Sequence, residues 1–139
     1  MPFGASPEER KGDVGMQWEI NSDRPVYVQL IKQIQAGIIS GYFKPGDKLP
    51  SVRDLAADAA VNPNTMQKAL AELERTGLIY TNRTSGRLIT SDTKLIQDLK
   101  KQSARLQIIE FIDRMALLGF QSDEILQLIE QVMKAKQKQ

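Results

Sequence analysis

Between residues 62 and 68 the chain carries Asn62, Asn64, Thr65, Gln67 and Lys68, a run of carboxamides, a hydroxyl and an amine. A carboxamide presents a donor and an acceptor side by side, the pattern that pairs with the major-groove edge of adenine, while a hydroxyl or an ammonium group can hold a phosphate oxygen. The same five residues would also suit a solvated helix face that binds nothing. The surrounding charge favours the first reading. No acid lies between Asp58 and Glu72 or between Glu74 and Asp92, whereas Lys68, Arg75, Arg83 and Arg87 all fall inside those windows. The whole chain balances 19 Lys and Arg against 17 Asp and Glu, a formal net charge of +2, so this segregation is local. A surface kept clear of carboxylates is what a phosphate backbone requires.

Arg83 and Arg87 flank Thr84-Ser85-Gly86, and Gly86 permits a positive φ and close approach to a backbone or groove. An ordinary exposed turn would have the same composition. Ser85 and Gly86 join the candidate set because of their place one short strand after residues 62–68. Arg53 lies just beyond Ser51 in the first turn of another helix, where it can face a duplex or pair with Asp54 or Asp58. Lys48 is a further phosphate candidate.

Catalysis is not suggested. The chain has no His and no Cys, which removes the commonest general base, the commonest transition-metal ligand, thiolate sites and disulfides. No glycine loop suited to cradling phosphates is present, and the acids form no catalytic pattern. We expect a protein that is not an enzyme, with no metal and no cofactor. The lack of Cys fits the cytoplasm. No apolar run approaches the roughly 18 residues of a membrane span, and residues 1–15 have no apolar stretch like that of a secretory signal.

The elements that must position these groups follow from periodicity. Tyr27, Leu30, Ile31, Ile34 and Ile38 recur at helical spacing, after Ser22 or Asp23 as a cap and Pro25 in the first turn, and Gly41 stops the helix. Lys44-Pro45-Gly46-Asp47 suits a type II turn. Ser51 caps a short helix with Leu55, Ala56 and Ala59 inward, ending near Ala60, and Val61 and Asn62 make the turn. Asn62 as N-cap and Pro63 as first residue open a third helix, which Gly77 ends after Thr76. At ~100° per residue, Ala69, Leu70 and Leu73 stay within about 60° of Met66 and form its buried face, leaving Asn64, Lys68 and Arg75 opposite and Gln67 on one flank. Residues 78–81 and 88–90 read as strands around a polar loop, 82–87. Residues 92–139 read as a long helix, a bend over 117–121 with Gly119 as the helix stop, and a second helix capped by Ser122 that carries Ile125, Leu126, Ile129, Val132 and Met133.

The fold expected is mainly α with a small β-hairpin: a winged helix-turn-helix followed by a two-helix C-terminal dimerisation segment. Residues 1–15 are taken as a flexible tail, 16–91 as the winged domain and 92–139 as the helical dimerisation domain.

The segments Val26-Tyr27-Val28-Gln29-Leu30, Lys44-Pro45-Gly46-Asp47-Lys48-Leu49-Pro50-Ser51-Val52-Arg53-Asp54-Leu55-Ala56, Val61 to Leu70 and Leu73-Glu74-Arg75-Thr76-Gly77-Leu78-Ile79, in this order, resemble the GntR family of bacterial regulators over roughly residues 25–90. The resemblance implies that Arg53, the opening of the third helix (Asn62, Asn64, Thr65, Gln67) and the wing tip with Gly86 touch operator DNA. Many family members carry arginine where this chain has Pro63 and Gln67. Arginine commonly reads guanine, so a half-site less dependent on guanine is implied. The residues beyond 90 are too few for a large effector or aminotransferase-like domain. Met115-Ala116-Leu117-Leu118-Gly119-Phe120 leading into Ser122-Asp123-Glu124-Ile125 resembles the short YtrA-type subfamily, which implies a homodimer built on the C-terminal helices and control of a nearby operon, often one for an ABC transporter.

Two helices this rich in Ile and Leu cannot bury them all against each other, so a partner copy is expected to cover the remainder. The interface residues expected are Leu99, Leu106, Ile109, Ile112, Met115, Phe120, Ile125 and Ile129. Packing back onto the first helix is the alternative. A small-molecule effector would find an apolar site near Met115, Phe120 and Ile125, although those residues would equally make plain core. The expected function is a sequence-specific regulator, a repressor, on double-stranded inverted-repeat operator DNA. The alternative is a winged-helix module that binds proteins.

Overall fold

A computed structural model describes residues 14–138. The chain divides into two compact units, the first ending at Asp98 and the second starting at Leu99. The elements are α1 (Val26–Ile39), α2 (Val52–Ala59), α3 (Pro63–Arg75), β1 (Ile79–Asn82), β2 (Gly86–Ile89), α4 (Thr93–Leu117) and α5 (Ser122–Gln137).

In the first unit α3 is the central helix, packed on both α1 and α2. Leu30, Ile34 and Ile38 of α1, Leu55 of α2 and Met66, Leu70 and Leu73 of α3 are almost wholly removed from solvent. Each such side chain contributes roughly 1.5–3 kcal/mol of burial, which makes this cluster the main determinant of how α3 is presented. The turn between α2 and α3 is the one expected: α2 ends at Ala59, Ala60 adopts φ 57 and ψ 47, the left-handed conformation, and Asn62 is the N-cap of α3.

The hairpin differs from expectation. Its second strand starts at Gly86, so Gly86 and Arg87 lie within β2 and not in a loop. The strands are antiparallel, with Ile79 opposite Ile89 and Thr81 opposite Arg87. Asp47, read from sequence as the end of a turn, and the two residues after it lie along β2 as a third extended segment. Leu49 N donates to Arg87 O at 2.9 Å and Ile89 N to Asp47 O at 2.8 Å. The turn that leads in is the one expected, with Asp47 N donating to Lys44 O at 3.1 Å.

Three N-terminal expectations are corrected. Residues 1–13 lie outside the described residues, but Val14 and Gly15, assigned to the tail, are buried, as is Met16. Neither Ser22 nor Asp23 caps α1; Pro25 is its N-cap residue and no side chain caps it. The Gln29 carboxamide organises the entry instead. It donates to Asn21 O at 2.7 Å and Arg24 O at 3.2 Å and accepts from Asn21 N at 2.8 Å. Gln33 does the same for Glu19, accepting from its N–H at 3.0 Å and donating to its carbonyl at 2.7 Å. Tyr27, read as an inward residue, is only half-buried.

The first turn of α4 belongs to the first unit, where Ile96 is buried. In the second unit Gln121, not Ser122, is the N-cap of α5, and its backbone N–H donates to Glu124 Oε1 at 3.0 Å. Phe120 N closes the preceding bend on Met115 O at 3.2 Å. Ile125 is buried, while Phe111, Met115, Phe120, Leu128 and Ile129 are half-buried. Leu106, Ile108, Ile109 and Ile112 of α4 and Leu126, Val132 and Met133 of α5 remain exposed, as do Leu117 and Leu118 at the bend. No helix among the described residues is long and apolar enough to cross a membrane.

Candidate nucleic-acid interface

The sequence 62–76 folds as a helix because each end has a stop. Asn62 Oδ1 accepts from Asn64 N at 2.8 Å, Pro63 supplies a preset φ with no N–H to satisfy, and Leu78 N returns to Leu73 O at 3.2 Å after Gly77. The apolar stripe Met66, Ala69, Leu70 and Leu73 then fixes the rotation of α3, exposing Pro63, Asn64, Gln67 and Lys68 and leaving Thr65 half-buried. The cap uses one acceptor of Asn62 and leaves its amino group. Lys68 is not a freely swinging cation. Its Nζ sits 3.8 Å from the centroid of the Tyr27 ring on α1. That face of Tyr27 is what its periodicity, read as core packing, concealed.

Ser51 caps α2 by accepting from Asp54 N at 3.1 Å. Arg53 is exposed and makes no ion pair among the described residues. Asp58, one of its expected partners, is taken by Trp18, whose indole N–H donates to Oδ2 at 2.7 Å. Sequence reasoning assigned nothing to Trp18, and its forty-residue separation from Asp58 left no local signal.

At the wing, Asn82 Oδ1 accepts from Thr84 N at 3.0 Å, Thr84 Oγ1 at 2.9 Å and Ser85 N at 3.4 Å, so one side chain shapes the tip. Gly86 has φ +81, and a Cβ built there would lie 3.8 Å from Lys48 Cε. Lys48 therefore runs beside the tip, held by its bridge to Leu88. Arg83 is exposed without an ion pair among the described residues.

Arg87 is different. Its Nε donates to Glu74 Oε1 at 2.6 Å, and the same oxygen accepts from Thr81 Oγ1 at 2.8 Å. The Thr81 hydroxyl is the main cause that holds the Glu74 carboxyl below its ordinary value; partial burial opposes this, and the hydrogen bond and charge of Arg87 add to the lowering. Glu72 is paired with Arg75 at 3.0 Å. Glu72 and Glu74, the two carboxylates that lie between the acid-free stretches, are thus both ion-paired. No group of His, Cys, Asp and Glu suited to a metal ion occurs among the described residues.

A helix-turn-helix whose second helix exposes amides at its N-terminal end, flanked by unpaired arginines and a hairpin wing, defines a winged-helix DNA-binding protein. Residues 26–89 match the family described as bacterial regulatory proteins, gntR family. Over 112 residues the chain is 36% identical to the uncharacterized HTH-type transcriptional regulator YhcF of Bacillus subtilis, covering 81% of this chain and 93% of that protein. It is 47% identical over 79 residues to the HTH-type transcriptional repressor YtrA of the same organism, covering 57% of this chain and 61% of the repressor. A GntR family transcriptional regulator from Listeria monocytogenes superposes with a TM-score of 0.75 at 38% identity, covering 81% of this chain and 98% of the other. The chain belongs to the GntR family of transcriptional regulators, which bind DNA and are not enzymes.

Proposed function

We propose that this protein is a repressor that binds an inverted-repeat operator as a homodimer. The observation that carries the DNA-reading part is the exposed start of α3. Asn64 and Gln67 face solvent on a helix whose rotation is fixed by a buried stripe and whose first turn is fixed by the Asn62 cap. Asn62, Asn64, Thr65 and Gln67 read base edges. Pro63 and Gln67, in place of arginines, favour a half-site with fewer guanine contacts. Lys48, Ser51, Arg53, Lys68, Arg83, Ser85 and Gly86 position the protein on phosphates.

The second half of the proposal is supported by the second unit. Monomers rarely expose contiguous apolar patches above a few hundred Å². Leu106, Ile109 and Ile112 lie on a helix whose apolar residues extend around much of its circumference, which one neighbouring helix cannot cover. A second copy brings the same face, and two-fold symmetry matches an inverted repeat. Ile125 takes no part, being buried already, and Leu99, Met115, Phe120 and Ile129 flank the contact. The protein would act in the cytoplasm on a neighbouring operon, one for an ABC transporter being what the YtrA-type resemblance implies.

The test is Arg53→Ala. At fixed moderate salt it should weaken duplex binding about tenfold or more, in line with hydrogen bonds to charged groups of ~1.5–3 kcal/mol, with unchanged thermal unfolding. Unchanged affinity would remove Arg53 from the interface. A wild-type protein that binds no duplex would favour a protein-binding winged helix.

A further inference from the structure

Thr81 and Arg87 face each other across the hairpin, and Glu74 of α3 holds both through a single carboxylate oxygen. Arg87 is therefore held both on its backbone, where its carbonyl accepts from Leu49 N, and on its side chain. Its side chain is 21% exposed and that of Glu74 31%, so the pair is screened less than a surface ion pair. Arg53 and Arg83 are exposed and have no carboxylate partner among the described residues. The two arginines of the wing, Arg83 and Arg87, thus differ, and Glu74 makes the difference.

We propose that Glu74 is a specificity-determining residue: it keeps Arg87 off the phosphate backbone, so that the wing grips DNA through Arg83 while Arg87 fixes the wing against α3. This rests on the DNA-binding reading above. An arginine on phosphate strengthens binding to every sequence alike, because phosphate contacts carry no base information. Neutralising one of them limits non-specific affinity and leaves discrimination to α3. Glu74 acts through Arg87 and is a positioning residue, with no contact of its own to DNA.

The experiment measures binding of the full chain to a fluorescent mixed-sequence duplex by anisotropy over a series of salt concentrations. The proteins are wild type, Glu74→Ala, Arg87→Ala and the double variant, with thermal unfolding recorded for each. Releasing one arginine onto phosphate should steepen the plot of log affinity against log salt by ~0.9 in Glu74→Ala and raise mixed-sequence affinity several-fold. Arg87→Ala alone should leave that slope unchanged, and the double variant should return to it. If Glu74→Ala unfolds, Glu74→Gln, which keeps the shape and an acceptor but not the charge, should show the same change of slope in smaller measure. A shallower slope in Arg87→Ala, or steepening that persists in the double variant, overturns the proposal while leaving DNA binding intact. A wild type that binds no duplex overturns both.

Discussion

Asn62 has a helix-capping role and a proposed DNA-reading role, and two substitutions separate them. Its Oδ1 accepts from Asn64 N at 2.8 Å, satisfying one of the orphan donors at the start of α3. Alanine removes that acceptor and should cost about 1 kcal/mol, within a range of 0.5–2 for such caps. For a unit this size, that is a fall in melting temperature of roughly 4–8 °C. Aspartate keeps the acceptor at the same place and adds a negative charge at the positive end of the helix, worth about 0.3–1 kcal/mol in its favour. Asn62→Asp should therefore unfold at or slightly above the wild-type temperature. On DNA the order reverses, because a carboxylate facing phosphates costs several kcal/mol, roughly a hundredfold in affinity. Differential scanning calorimetry and anisotropy on the same samples give both numbers. An Asn62→Asp protein that binds duplex like wild type would show that the start of α3 does not face DNA. An Asn62→Ala protein with unchanged melting would show that the cap contributes nothing.

Three further outcomes follow from particular contacts. Ala60 holds a left-handed conformation that costs a non-glycine residue about 1–2 kcal/mol; set against the greater unfolded-state freedom of glycine, Ala60→Gly should stabilise the protein by roughly 0.5–1 kcal/mol, measured by urea unfolding. Ile109→Asp places a charge on an exposed apolar face of α4 and should shift sedimentation from dimer to monomer, and a monomeric wild type would end that part of the proposal. The Glu74 carboxyl titrates below its unfolded value of 4.5, so its stabilisation is present above that pH and lost as pH falls through the folded value; the stability gap between wild type and Glu74→Gln should be widest near neutrality and close in acid.

The helices were readable because their signals are local. The Met66, Ala69, Leu70 and Leu73 stripe turns Asn64 and Gln67 outward at 3.6 residues per turn, and Asn62-Pro63 and Gly77 mark the ends within a few positions of their effect. What was not readable depends on partners far along the chain. The extended segment at 47–49 exists only because Arg87 and Ile89 lie beside it, Trp18 meets Asp58 of α2 from forty residues away, and Lys68 finds the ring of Tyr27 on a different helix. Glu74 and Arg87 were both visible as charges, but only a hairpin folded over α3 makes them a pair. In the second unit the abundance of Ile and Leu was evident, yet which of them face inward was not. Ile125 is buried and Leu126 exposed, a distinction that depends on how the bend at Leu118 to Gln121 aims α5.

The most direct test of DNA reading by the start of α3 is selection of fragments from a random DNA pool by the purified full-length protein, followed by sequencing and repetition with Gln67→Ala. Enrichment of an inverted repeat is expected, with Gln67→Ala relaxing the preference at one base pair in each half-site and leaving the spacing unchanged. No enrichment by wild type, or identical motifs from both proteins, would contradict it.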